Sequence, residues 1–129
     1  MQVNKGSFTE LNVWKKAREF RNDFFKLCND FPKEEKFRLS DQLIRASRGI
    51  CANIAQGHGR YHFQENIQFC RVARGSLSEC KDHLICALDC NYIEEEKLKK
   101  YIDSITEINK ILNGYILYLK KKKNPEKYK

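Results

Sequence analysis

With 129 residues the chain has room for one domain around one core. No apolar run approaches the roughly 20 residues of a membrane span, and residues 1–10 lack the apolar centre of a signal peptide, so a cytoplasmic protein with no membrane partner is expected. The formal charge is +8, and residues 120–129 hold six lysines and one glutamate, which suits an anionic partner such as nucleic acid or a plainly solvated end.

The two prolines are Pro32 and Pro125, so the long stretch between them lacks the strongest helix breaker and an all-α organisation follows. The first helix is predicted over about 12–30, with Val13, Trp14, Ala17, Phe20, Phe24, Leu27, Cys28 and Phe31 on one face. Phe31-Pro32 ends it, a charged connector spans 33–38, and Ser40 is a suitable N-cap for the next helix.

The second helix, about 39–58, has two used faces. Ala46, Ile50 and Ile54 form a buried stripe, while Gln42, Arg45, Gly49, Ala52 and Gln56 form a small or polar one. Gly49 costs about 1 kcal/mol relative to Ala in a helix, which a close approach by another helix would offset. Arg45 and Asn53 call for a buried hydrogen-bonded network, and Gly57 or Gly59 is suited to a left-handed C-terminal cap. A helix-packing surface and a ligand site both remain open for this stretch.

The third helix, about 61–89, carries Phe63, Ile67, Cys70, Ala73, Leu77, Cys80, Leu84 and Ala87 as a seam. A second row of Phe69, Val72, Ser76, Glu79, His83, Cys86 and Cys90 suggests contact with a neighbouring helix or another subunit, with Glu79 facing Arg45 or Arg48. The fourth helix, about 94–122, opens on acidic residues that suit the positive end of the helix dipole. Leu98, Ile102, Ile105, Ile108, Leu112, Tyr115 and Leu119 line it. The predicted fold is an antiparallel up-down four-helix bundle over 1–119, followed by a basic tail at 120–129.

Catalytic chemistry is hard to find. Gly57-His58-Gly59 lacks the strand and further glycines of a phosphate loop. His58 and His62 are separated by a glycine break, and Cys86 and Cys90 lack a second pair, so neither a metal nor a cofactor is expected. The six cysteines (Cys28, Cys51, Cys70, Cys80, Cys86, Cys90) read as reduced apolar residues, five of them on or beside buried stripes. An enzyme is not expected. The basic residues say more: Arg18 and Arg21 on the first helix, Arg60, Arg71 and Arg74 around the third, and Lys120, Lys121, Lys122 and Lys123 suit phosphate contacts without much sequence choice. Tyr61, His62 and Phe63 beside Arg60 could stack on an unpaired base; the other reading is solubilising charge with Phe63 in the core.

Five fragments in order carry a family resemblance: Leu11-Asn-Val-Trp-Lys-Lys-Ala17, Phe31-Pro-Lys-Glu-Glu35, Leu39-Ser-Asp-Gln-Leu-Ile-Arg-Ala46, Asn53-Ile-Ala-Gln-Gly57 with Gly59-Arg60, and Arg74-Gly-Ser-Leu-Ser-Glu79. Over residues 8–119 the chain resembles the bacterial proteins encoded by intervening sequences of 23S ribosomal RNA genes. It is also similar to the accessory variability determinant of diversity-generating retroelements. The resemblance implies a four-helix bundle assembled as a homopentameric ring, and the second relative implies binding of nucleic acid and of a reverse transcriptase. Gln56 stands where the family usually has glutamate, and Cys51 where it often has proline. The leading expectation is a non-enzymatic, oligomeric RNA- or DNA-binding accessory protein. A docking module for a protein such as a reverse transcriptase is the alternative, and a small helical nuclease the third. Arg45, Gly49, Asn53, Phe69, Val72, Ser76 and Glu79 would serve helix packing or the oligomer.

Overall fold

Apolar residues recurring every three or four positions through proline-free sequence fold as four α-helices in the computed structural model, which describes residues 7–128. These are α1 (Asn12–Cys28), α2 (Leu39–His58), α3 (Phe63–Asp89) and α4 (Glu95–Lys123), with 3-10 turns at Phe8–Glu10 and Lys33–Glu35 and no strand among the described residues. The start of the chain, on which the signal-peptide expectation partly rests, and Lys129 lie outside the described residues. No helix among the described residues is long and apolar enough to cross a membrane.

α2 packs against α1 and α3, and α4 closes the set by packing against α3 and α1. The stripes meet in one core, where Phe24, Leu43, Ile50, Ile54, Ile67, Leu77, Leu84 and Leu112 lose nearly all contact with solvent. Each such side chain stabilises the fold by about 1.5–3 kcal/mol through burial. Between α1 and α4 the seam is aromatic: Phe24 meets Tyr101 edge-on at 5.0 Å between ring centroids and Phe20 at 4.1 Å.

Several local expectations are corrected. Ser40 is not the N-cap of α2, which starts one residue earlier; Ser40 is buried, and its carbonyl accepts from the Cys28 thiol at 3.8 Å. Neither Gly57 nor Gly59 is left-handed: Gly57 lies inside α2, and the cap Gly59 has a φ of −76°. Among the described residues, it is Asn91 that takes the left-handed conformation, at a φ of 62°. It lets Tyr92 N–H reach the Ala87 carbonyl at 2.9 Å while its own N–H reaches Leu88, a Schellman closure of α3. Trp14 is half-buried against Phe8, Leu98, Ile102 and Tyr115 are half-buried rather than fully so, and Ile116 joins the core. Phe63 is 45% exposed because it opens α3 at the edge of the helix assembly. The four lysines at 120–123 are the last turn of α4, where cations oppose the negative end of the dipole.

The cysteines divide. Cys28, Cys51, Cys70 and Cys80 are buried, whereas Cys86 and Cys90 are exposed and none is disulfide-bonded. Burial pushes the Cys28 and Cys70 thiols up to about 11 and Cys80 to about 12. Because the thiolate is the reactive form, iodoacetamide at pH 8 will modify Cys86 and Cys90 in the native protein and all six cysteines only after unfolding, as counted by intact mass. Rapid native labelling of Cys80 would contradict the packing of α3.

Candidate nucleic-acid interface

The first turns of α3 and the last turns of α4 lie side by side, which sets their basic residues across from one another. Arg71 on α3 and Lys120 and Lys123 on α4 line a cleft of about 280 Å³ with Lys127 and Tyr128. Lys123 donates to the Gln64 side chain across the gap. No Asp or Glu among the described residues lines the cleft, so its cations reinforce one another's field. Arg74, one turn further along α3, donates to Asn113 Oδ1 of α4 at 2.9 Å and borders the same seam. Lys121 and Lys122 are exposed on the adjoining surface, with the Lys122 ammonium 5.6 Å from the Tyr118 ring centroid.

The other basic residues do not line this cleft. Arg60, after the end of α2, lies over the Phe69 ring at 5.0 Å and pairs with Glu65 at 3.7 Å. Arg18 covers Trp14 at 5.6 Å, and Arg21 bonds Asn22 at 3.3 Å, both on α1. Arg21 joins Arg48 in a separate groove of about 630 Å³ between α1 and α2. There burial raises the Cys51 thiol, an effect the neighbouring Arg21 guanidinium opposes. The nine residues expected to contact phosphate thus form one concentrated cleft and its border, one turn cation, and two outliers on α1.

The residues expected for packing or assembly also separate. A Cβ on Gly49 would sit 3.1 Å from Ser76 Oγ, so α2 and α3 approach closely here. Asn53 turns back on its own helix, donating to the Gly49 carbonyl at 2.7 Å. Arg45 is not part of a buried network: its side chain is 78% exposed and pairs with Asp41 one turn earlier at 3.6 Å. Glu79 is likewise exposed and meets His83 at 3.9 Å rather than Arg45 or Arg48. Phe69 is half-buried beside Gly57, while Val72 is 54% exposed.

The buried polar link sits elsewhere, at Asn66. Its amide donates to the Tyr115 hydroxyl at 3.1 Å, and its oxygen accepts from the Cys70 thiol at 3.6 Å, coupling α3 to α4. Burial raises the Tyr115 phenol, and the bond to Asn66 works against that rise. Asn66, Gln64, Tyr118 and Lys127 escape a reading based on stripes, because their roles depend on which helix lies opposite. Among the described residues, no group of three or more His, Cys, Asp or Glu side chains is placed to hold a metal ion.

These features define a four-helix, all-α protein with a cationic cleft between two helix ends. The chain belongs to the 23S rRNA-intervening sequence protein family, whose description matches residues 9–114. It is similar to a solved protein of unknown function from the S23 ribosomal protein family of Bacteroides thetaiotaomicron. That likeness has a TM-score of 0.75 at 28% identity and covers 81% of this chain and 94% of the other. No curated protein matches the chain.

Proposed function

We propose that this protein is a non-enzymatic accessory protein that binds RNA or DNA through phosphate contacts in the cleft between α3 and α4. The observation that carries this reading is the gathering of Arg71, Lys120, Lys123 and Lys127 around one cleft without a lining carboxylate. Cations on rigid helices hold a phosphate track in register while remaining indifferent to base sequence. The cleft residues Arg71 and Lys123, with Arg74 beside them, work as one surface, and Arg18 and Arg21 form a secondary one.

In this reading the helices are an antiparallel up-down bundle that assembles as a homopentameric ring. Cross-helix pairs support the direction: Gln64 with Lys123 and Arg74 with Asn113 run in opposite senses along α3 and α4. The family resemblance and the similarity to the retroelement accessory determinant support the ring. A second reading, docking of a protein such as a reverse transcriptase, is favoured by Val72, exposed one turn from the half-buried Phe69 on the same side of α3.

Binding of the full chain to labelled structured RNA and duplex DNA across a salt series tests the leading reading. Counterion release makes log affinity fall linearly with log salt, with a slope of about −0.9 per phosphate contacted on duplex DNA. A slope corresponding to at least about three phosphates supports the cleft. Absence of binding at low salt overturns it and turns the search to a protein partner.

A further inference from the structure

A second concavity opens beside the cationic cleft, and its walls are aromatic. The turn between α2 and α3 carries Tyr61, α3 begins with Phe63, and α4 brings Tyr115 and Tyr118, around about 240 Å³ of space. Consecutive residues are divided between the two cavities: Phe63 and Gln64, Asn66 and Ile67, Leu119 and Lys120. Aromatic pocket and cationic cleft therefore adjoin at one end of the helix assembly.

The pocket exposes more ring surface than folding requires. Tyr61 is 95% exposed and Tyr118 53% exposed, so both leave apolar area in water that stacking would cover. Tyr115 and Tyr118 lie nearly parallel, 16° apart with centroids at 6.2 Å. The Tyr115 hydroxyl accepts from the buried Asn66 amide, which fixes the ring beside which Tyr118 lies, while Tyr61 stands free in solvent to close over a ligand. His58, His62 and Arg60 complete the rim with groups able to hydrogen-bond a heterocycle edge.

We propose that this pocket takes one unpaired nucleobase, stacked on Tyr61 and Tyr118, while the flanking phosphates lie in the cleft of Arg71, Lys120 and Lys123. The inference rests on the nucleic-acid reading above and narrows its ligand to single strands, loops or bulges. In a duplex the base faces are already stacked, and aromatic side chains have no face to meet. The volume is below the about 300–1,000 Å³ of pockets for drug-sized ligands, which suits one flat ring system rather than a base pair.

The test compares the full chain with a Tyr61→Ala, Tyr118→Ala double variant on single-stranded RNA, single-stranded DNA and duplex DNA across the same salt series. The double variant is expected to lose about tenfold or more in affinity for single strands, with duplex affinity and salt slope unchanged. Tyr118→Phe, which keeps the ring, should bind single strands as the parent does. A difference between the two single-stranded arms would assign the sugar that the site prefers, and equal loss on both would assign recognition to the base alone. If the parent binds all probes with the expected salt slope and the double variant binds single strands equally well, the pocket proposal fails and the phosphate reading stands. If the parent binds no probe at low salt, both fail.

Discussion

Reversing the charge of Arg71, Lys120 and Lys123 together will lower affinity for nucleic acid by roughly a hundredfold or more near physiological salt and will reduce the salt slope by about three. The three side chains line one cleft, so their replacement by glutamate removes three cations from the proposed phosphate track and puts like charge against a nucleic-acid backbone. A milder Arg71→Gln, Lys120→Gln, Lys123→Gln variant should flatten the slope to the same degree with a smaller loss at fixed salt. The matched control reverses Lys97, Lys99 and Lys100 in the opening turns of α4. It changes the net charge equally, and acidic residues there favour the positive end of the helix dipole. If both reversals weaken binding alike, the effect is one of net charge, and the cleft is not the site. Far-UV circular dichroism and a thermal melt establish that each variant is folded.

Gly57→Ala will destabilise the protein by about 1–3 kcal/mol, even though alanine is the better helix former by about 1 kcal/mol. Gly57 is buried in the last turn of α2, against the start of α3. An added Cβ would lie 2.7 Å from Asn66 Oδ1, 2.9 Å from Phe69 Cβ and 3.1 Å from the Asn66 carbonyl oxygen. Two of these neighbours cannot rotate away, and the third is the atom that accepts the Cys70 thiol. Gly75→Ala and Gly114→Ala make the opposite case, since a Cβ at either meets nothing within 4 Å. Each should stabilise by about 0.5–1 kcal/mol through reduced chain entropy. Gly49→Ala falls between, because Ser76 Oγ at 3.1 Å can turn aside. Urea unfolding with an unchanged m-value measures all four. A Gly57→Ala protein as stable as Gly75→Ala would mean that α2 and α3 are not in contact there.

The two predictions share a region. Gly57 admits α3 close to α2, Asn66 then ties α3 to α4, and that seam holds both the cationic cleft and the aromatic pocket. A loosened Gly57 variant should therefore also weaken the orientation of Tyr115, whose hydroxyl accepts from Asn66.

How much of this is legible in sequence differs from residue to residue. Phe20, Phe24, Ile50, Ile54, Leu77 and Leu84 are assigned to the core by spacing alone, because a 3.6-residue period leaves no other face for them. Phe63 obeys the same spacing and is exposed, because a residue at a helix start can project beyond the neighbouring helices. Arg45 and Glu79 stand in rows whose other members are exposed or half-buried, and each finds a partner one turn away on its own helix and stays in solvent. Periodicity gives direction around an axis but not the depth to which a neighbour covers that face.

By itself the sequence determined the all-α class, the helix count with ends accurate to a few residues, the core stripes and the family. These follow from local rules: proline placement, the period of apolar residues, and the dipole preference that puts Glu94 before α4 and lysines at its close. Only the tertiary structure decided that Arg71 faces Lys120 and Lys123, that Asn66 rather than Arg45 is the buried polar link, and that Tyr61 and Tyr118 share a pocket. Each of those pairings joins residues distant in the chain across the seam that α4 makes with α3 and the turn before it, and the register of that seam is set by the packing of whole faces, not by any residue's own propensity.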